Sequence, residues 1–264
     1  MKTEYLSLMV TTYCTLRCAQ CSLSIPYVPK AHFPVEEIAL SIKRVFQLYD
    51  SVGEFMVTGG EAILHPDIVA IIQECAKYKT QYRLLKFYTN ATVVPNDDLM
   101  RCLKEHCIVR IDDYGVHSKA NEWISLCEKY GCRYEIRDYR GSMERQWQGG
   151  WLDILGDLNY RGYAEKQIKE VYRKCQNREN GRFIWGGRLW ACGNAAGAVL
   201  SGKIPDFAGD SIDLLVEDFH TEDLRTRICW TKCDYLESCG YCNGFHAKTG
   251  KRIPAAVQIE EEEE

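Results

Sequence analysis

Apolar and polar residues alternate in short blocks along the first 140 positions, and the blocks switch between two periods. Tyr5-Leu6-Ser7-Leu8-Met9-Val10 is a dense apolar run of strand length. Residues 35–46 then carry apolar side chains at helical spacing behind Pro34, a residue suited to a helix start. Glu54-Phe55-Met56-Val57-Thr58 reads as a buried strand ending in Gly59-Gly60, and Pro66 opens a helix through Ile68, Ile71, Ile72 and Ala76. The same alternation gives a third strand over 82–88 with a helix over 96–106, and a fourth strand over 108–111 with a helix around Trp123, Leu126 and Cys127. Residues 133–137 read as a fifth strand and 151–155 as a sixth. Strands and helices at this cadence predict a parallel sheet joined by right-handed crossovers.

From about Gly141 the pattern changes. Residues 142–157 are rich in Trp, Gly and Gln, and 163–174 read as a helix with Ile168, Val171 and Tyr172 on its apolar side. Beyond Cys175 loops dominate, apart from an alternating stretch over 182–190 whose Gly186-Gly187 centre predicts a β-hairpin. This places a boundary near residue 160, between a core over 1–160 and an appendage over 161–264. The length of 264 residues suits one domain with such an appendage. There are no internal repeats, and the all-Glu run 260–264 reads as a solvated tail. A net charge of −4 argues against nucleic acid as a partner. The first ten residues do not read as a signal peptide, and no apolar stretch approaches the roughly 18 residues that span a bilayer, so no membrane partner is expected. Fourteen cysteines in such a chain point to metal ligands in a reducing compartment, and hence to the cytoplasm.

Three of those cysteines, Cys14, Cys18 and Cys21, are spaced C-x3-C-x2-C directly after the first strand. A strand ending in a short loop can turn three sulfurs toward one point. Three soft thiolates leave one corner of a cubane iron–sulfur cluster without a protein ligand, where a small molecule can bind and be reduced. The bland alternative is a zinc knuckle, but zinc wants a fourth ligand and no Cys or His follows promptly. A second set consists of Cys175 and Cys192, flanking the hairpin, and Cys229, Cys233, Cys239 and Cys242, spaced C-x3-C-x5-C-x2-C. A zinc site built from that quartet alone would leave Cys175 and Cys192 idle. Cys75, Cys102, Cys107, Cys127 and Cys132 lie on or beside predicted elements and read as small core residues.

At Cys14, Cys18 and Cys21 the chain resembles the radical S-adenosylmethionine (SAM) superfamily. The resemblance implies a [4Fe-4S] cluster whose open iron chelates SAM, and reductive cleavage of SAM to a 5′-deoxyadenosyl radical that abstracts hydrogen from a substrate. With the strand cadence it implies an α/β fold, a partial (β/α)6 TIM-like barrel with its chemistry at the C-terminal strand ends. The family usually has an aromatic residue where Gln20 stands, which implies altered packing near the adenine. Gly59-Gly60-Glu61 resembles the motif that takes the SAM amino group, with Ala62 where Pro is common. Thr89 and Asn90, ending the third strand, correspond to a polar pair that contacts SAM; an ordinary strand-end cap is the competing reading. Asp112, Asp113 and Arg137 end the fourth and fifth strands, where the SAM ribose and carboxylate or a polar substrate would sit; surface salt bridges are the alternative. Arg137 would pair the SAM carboxylate or hold a substrate oxygen, while Trp147, Trp151 and Asp153 would wall the pocket.

The later cysteines resemble the SPASM and shortened "twitch" auxiliary-cluster appendages of the same superfamily. No Cys follows Cys242, which favours the shorter form with one auxiliary [4Fe-4S] cluster on Cys175, Cys192, Cys239 and Cys242. Cys229 and Cys233 are then spare, or recruited should a second auxiliary cluster form. The resemblance implies an oxidoreductase served by an electron donor such as flavodoxin or ferredoxin. The chain reaches its first strand by about residue 5, with no room before it for a peptide-binding module. The leading expectation is therefore oxidation of a carbohydrate or aminocyclitol alcohol. Crosslinking, epimerisation or oxidation of a peptide is the alternative. From another class, a non-catalytic electron carrier or zinc scaffold is the contrast.

Overall fold

The computed structural model describes residues 1–260, so all of the acidic run except Glu260 lies outside the described residues. Five β-strands alternate with four helices in the first half: β1 (Lys2–Met9), α1 (Val35–Leu48), β2 (Ser51–Thr58), α2 (Ile68–Ala76), β3 (Tyr82–Thr89), α3 (Asp97–His106), β4 (Ile108–Asp113), α4 (Ala120–Tyr130) and β5 (Arg133–Asp138). Each strand pairs in parallel with the one before it. Alternation along the strands sends Leu6, Leu8, Phe55, Val57, Phe87, Val109 and Ile111 to one face, where they form the main core with the apolar sides of the helices. Among these helices α3 has a side-chain cap at its start. In α3, the Asn96 side chain accepts the Leu99 N–H at 2.9 Å.

The second half contributes β6 (Trp151–Leu152), α5 (Glu165–Lys174), α6 (Asn177–Asn180), β7 (Arg182–Trp185), β8 (Arg188–Trp190), α7 (Gly193–Leu200), β9 (Ser211–Asp213), α8 (Thr221–Arg227) and β10 (Arg252–Ile253). The sheet order is β5-β4-β3-β2-β1-β7-β8-β9. β7 runs parallel to β1, and β8 and β9 add antiparallel, so the 182–190 hairpin extends the sheet beyond β1. Six parallel strands with helices on one face form an open, partial α/β barrel.

One expected element is corrected. The run 151–155 is not a sixth strand of this sheet. Only Trp151 and Leu152 are extended, and they pair antiparallel with Ile253 and Arg252 in a separate ribbon. The Asp153 N–H follows suit, donating to Lys251 O at 2.9 Å, and the Trp151 ring packs edge-on to Tyr114. The backbone and the ring of this segment therefore find partners without the sheet. The sixth parallel strand is β7, on the far side of β1 and itself flanked by β8. Among the described residues no helix is long and apolar enough to cross a membrane.

Candidate active site

β1 delivers the chain into the cysteine loop, and backbone bonds hold that loop on two sides. Gly60 N–H donates to Thr11 O and Glu61 N–H to Tyr13 O, both at 2.8 Å. On the other side the Thr12 hydroxyl donates to Pro29 O and accepts the Ala31 N–H, both at 2.7 Å. Three N–H groups point at the sulfurs. Leu16 N–H and the Asn90 amide reach Cys14 Sγ at 3.4 and 3.6 Å, and the Gln258 amide reaches Cys18 Sγ at 3.5 Å. Burial pushes the Cys14 thiol up to about 12, and the charges of Glu61, Cys21 and Cys18 add to it. Burial likewise raises Cys18, to about 11, with the charge of Cys21 adding to it, and burial raises Cys21. Among the described residues no three His, Cys, Asp or Glu side chains stand close enough to hold a single metal ion. A four-iron cluster spreads its ligand sulfurs wider than one ion does, and three soft donors, Cys18 buried and Cys14 and Cys21 half-buried, fit it.

The Glu61 side chain is bound within the protein. Its carboxylate, 1% exposed, accepts the Asn90 N–H at 2.6 Å and the Ile63 N–H at 3.4 Å. Burial outweighs these bonds and raises its pKa to about 7. At the Gly59-Gly60-Glu61 turn, then, the Glu61 side chain is committed and the backbone carbonyls are the acceptors left for a ligand. Asn90 is organised in turn: its Oδ1 accepts the Thr92 N–H at 3.0 Å, and its amide faces Cys14 and Thr15. Thr89 Oγ1 accepts the Ala91 N–H at 2.9 Å, a strand-end bond, and Gln20 is exposed on the loop.

The sheet face away from α1–α4 is polar. Lys86 Nζ on β3 lies 3.1 Å from Glu54 on the adjacent β2 and 3.0 Å from Glu135 on β5, reaching across β4. Burial alone would lower its pKa; the bonds to Glu135 and Glu54 outweigh that and raise it. Toward the strand ends Arg110 grips Asp112 through Nε and Nη2, both at 2.9 Å, and its guanidinium lies 4.1 Å over the Tyr88 ring. Arg137 stacks 3.8 Å over Trp147. The two adjacent aspartates part company. Asp112 shares the Arg110 face, whereas Asp113 is in register with buried Val109 and Ile111, accepting the Gly115 N–H at 2.9 Å and pairing with Arg140 at 3.3 Å. Tyr114 stacks on Tyr139 at 5.2 Å, and Trp151 meets Tyr114 edge-on at 5.8 Å. The repeated Asp-Tyr pair at the ends of β4 and β5 was the available signal for that wall.

Cys175, Cys192, Cys239 and Cys242 line one cavity, with about 570 Å³ of atom-free space partly open to solvent. Burial raises the Cys192 thiol to about 11 and the Cys242 thiol to about 12, with the neighbouring cysteines adding to both. N–H donors from Phe245, Gly244 and the Asn177 amide reach Cys175, Cys242 and Cys192 at 3.3, 3.1 and 3.6 Å. Cys229 and Cys233 do not line this cavity; their thiols donate to Arg225 O and Trp230 O. Helix α7, which the sequence reading missed, starts at Cys192 and lies against the end of the first cysteine loop. There the Asn194 amide donates to Ser22 O at 2.9 Å.

Residues 8–117, from the end of β1 to the turn after β4, match the radical SAM superfamily. This stretch resembles a radical SAM domain. Its cysteine loop and the polar strand ends of β2 and β3 lie inside the match, and the family implies a [4Fe-4S] cluster and SAM. Molybdenum cofactor biosynthesis protein 1 of Bos taurus is 35% identical over 73 residues, 27% of this chain and 11% of that protein. GTP 3′,8-cyclase of Campylobacter jejuni subsp. doylei is 33% identical over 86 residues, 31% of this chain and 26% of that protein. The chain thus matches only about a tenth to a quarter of the length of these relatives. Among solved structures, BtrN in complex with AdoMet and 2-DOIA superposes with a TM-score of 0.56 at 12% identity, covering 97% of this chain and 98% of BtrN. Native anSMEcpe with bound AdoMet gives 0.52 at 12%, covering 96% and 92%. Streptococcus suis SuiB bound to precursor peptide SuiA gives 0.52 at 13%, covering 91% and 70%. These likenesses are of fold, and they run over nearly the whole chain.

Proposed function

We propose that the chain is a radical SAM enzyme that oxidises an alcohol carbon of a polar small molecule, of the carbohydrate or aminocyclitol class. Cys14, Cys18 and Cys21 would hold the SAM-binding cluster, and Cys175, Cys192, Cys239 and Cys242 a single auxiliary one. When bound, the first cluster and SAM supply reductive cleavage and a hydrogen-atom acceptor, and the second supplies a one-electron sink. The chain's own contribution is positional. Glu61 fixes the Asn90 backbone, which aims the Asn90 amide at Cys14 Sγ. The Gly59 and Gly60 carbonyls would take the SAM ammonium. Arg137, half-buried on Trp147, would hold a substrate or SAM oxygen, whereas Asp113 is committed to Gly115 and Arg140.

The observation that carries the substrate class is the charged sheet face, with Lys86 between Glu54 and Glu135 and Arg110 on Asp112. Groups of this kind match hydroxyl and ammonium substituents better than an apolar side chain. The BtrN complex with 2-DOIA is consistent in fold and extent. The test is anaerobic reconstitution, then SAM and dithionite with panels of aminocyclitols, sugars and short peptides, reading 5′-deoxyadenosine. Formation stimulated by a polyol, with loss of two hydrogens from it, is expected. Stimulation by peptides alone assigns the site to peptide modification. No 5′-deoxyadenosine at all, or an undiminished yield after Cys14, Cys18 and Cys21 are replaced by Ala, overturns the radical SAM reading.

A further inference from the structure

Residues 254–259 cross the cysteine loop as a strap. Upstream it is anchored by β10 on β6, and the Ala255 N–H donates to Gln146 Oε1 at 3.1 Å. Ala256, 6% exposed, is buried with Leu16 and Cys18, and Tyr114 and Trp151 pack around them. The Ala19 N–H donates to Val257 O and the Ile259 N–H to Arg17 O, both at 2.8 Å, which sets Gln258 opposite Cys18 in an antiparallel bridge. The Gln258 side chain is fully used. Its Oε1 accepts the Arg17 N–H at 2.7 Å, and its two amide hydrogens go to Ala256 O at 2.6 Å and Cys18 Sγ at 3.5 Å.

We propose that Gln258 is a positioning residue for the Cys18 thiolate, and that through its N–H···S bond the strap sets the reduction potential of the cluster on Cys14, Cys18 and Cys21. The inference rests on the reading of that triad given above. A donor on a ligand sulfur offsets negative charge there. The reduced cluster carries one more electron, so the bond strengthens on reduction and the potential rises. The bond is partly buried, beside Leu16 and Ala256, which reduces screening by water.

The experiment is an EPR-monitored redox titration of the reconstituted full chain, following the signal that added SAM perturbs. Gln258→Ala should shift the midpoint negative by about a tenfold change in the reduction equilibrium, about 59 mV for a one-electron couple. Gln258→Glu keeps an oxygen for the Arg17 N–H but sets an anion beside the sulfur, so its midpoint should fall further. If Gln258→Ala does not retain the cluster, Gln258→Glu decides on its own. Midpoints unchanged or raised overturn the proposal. So does loss of the cluster from both variants, because the strap then merely holds the loop together. A wild-type chain without a SAM-sensitive signal is a different result, which overturns the reading of the triad itself.

Discussion

A side-chain carbon on Gly60 would collide with the Tyr13 carbonyl oxygen and stand 2.8 Å from Cys14 Cβ. The close approach that the two glycines announce is therefore made first to the cysteine loop. Gly60→Ala should cost about 1–3 kcal/mol, the usual range for overpacking, and should lower iron uptake at this loop. Urea unfolding and iron analysis check both. Full iron content with only weaker SAM binding would show that the ligand, not the loop, requires the glycine. Glu61 adds a pH effect at the same turn. Its pKa is raised from 4.5 to about 7, so between those values the folded chain holds a proton that the unfolded chain has released. That contribution to stability is complete below about pH 4.5 and is lost as the pH rises through 7, at a cost on the order of 3 kcal/mol. Glu61→Gln keeps an oxygen for the Asn90 N–H and removes the titration. Unfolding of the metal-free, reduced protein should then depend less on pH between about 5 and 8; an unchanged slope assigns the dependence elsewhere.

At the scale of elements, α7 joins the two cysteine groups. Residues 193–198 are all buried, and a Cβ on Gly197 would fall inside the Leu23 carbonyl group. Gly197→Val should displace the helix from the cysteine loop and move Cys192 with it, so iron should fall at both groups. Leu200→Ala, at the exposed end of the same helix, should leave both filled. Iron retained at the first group in Gly197→Val would mean that the loop stands without α7. This helix was not legible in the sequence because Gly-Asn-Ala-Ala-Gly-Ala is buried all round and has no polar side to give a period. β1 to β5 and their helices were legible because each carries its own contrast of apolar and polar sides. The run 151–155 looked the same, yet the partner of its first two residues is 252–253, beyond the reach of any local pattern. Asp112 and Asp113 were indistinguishable until strand alternation put them on opposite faces.

For the whole molecule the prediction is an inventory. One four-iron cluster at each cysteine group gives about eight irons per chain. Cys229→Ser with Cys233→Ser should keep all of them, since both thiols sit on backbone carbonyls away from the cavity. Cys239→Ala with Cys242→Ala should leave about four. Near twelve irons in the wild type, falling when Cys229 and Cys233 are changed, would mean a second auxiliary cluster. The four cavity cysteines were legible as candidates through their spacing, but the exclusion of Cys229 and Cys233 needed the packing of α5 and α8 around them.

Gln258 meets Cys18 across 240 positions of sequence, and this separation has a bearing on biogenesis. Ribosomes add about 5–20 residues per second, so roughly 12–48 s pass between synthesis of the loop and synthesis of its strap. Throughout that interval the three thiols lack their strap, on a β1 that still waits for β7. A cluster held by the triad would thus be easier to deliver to the nascent chain than to one whose strap has already closed.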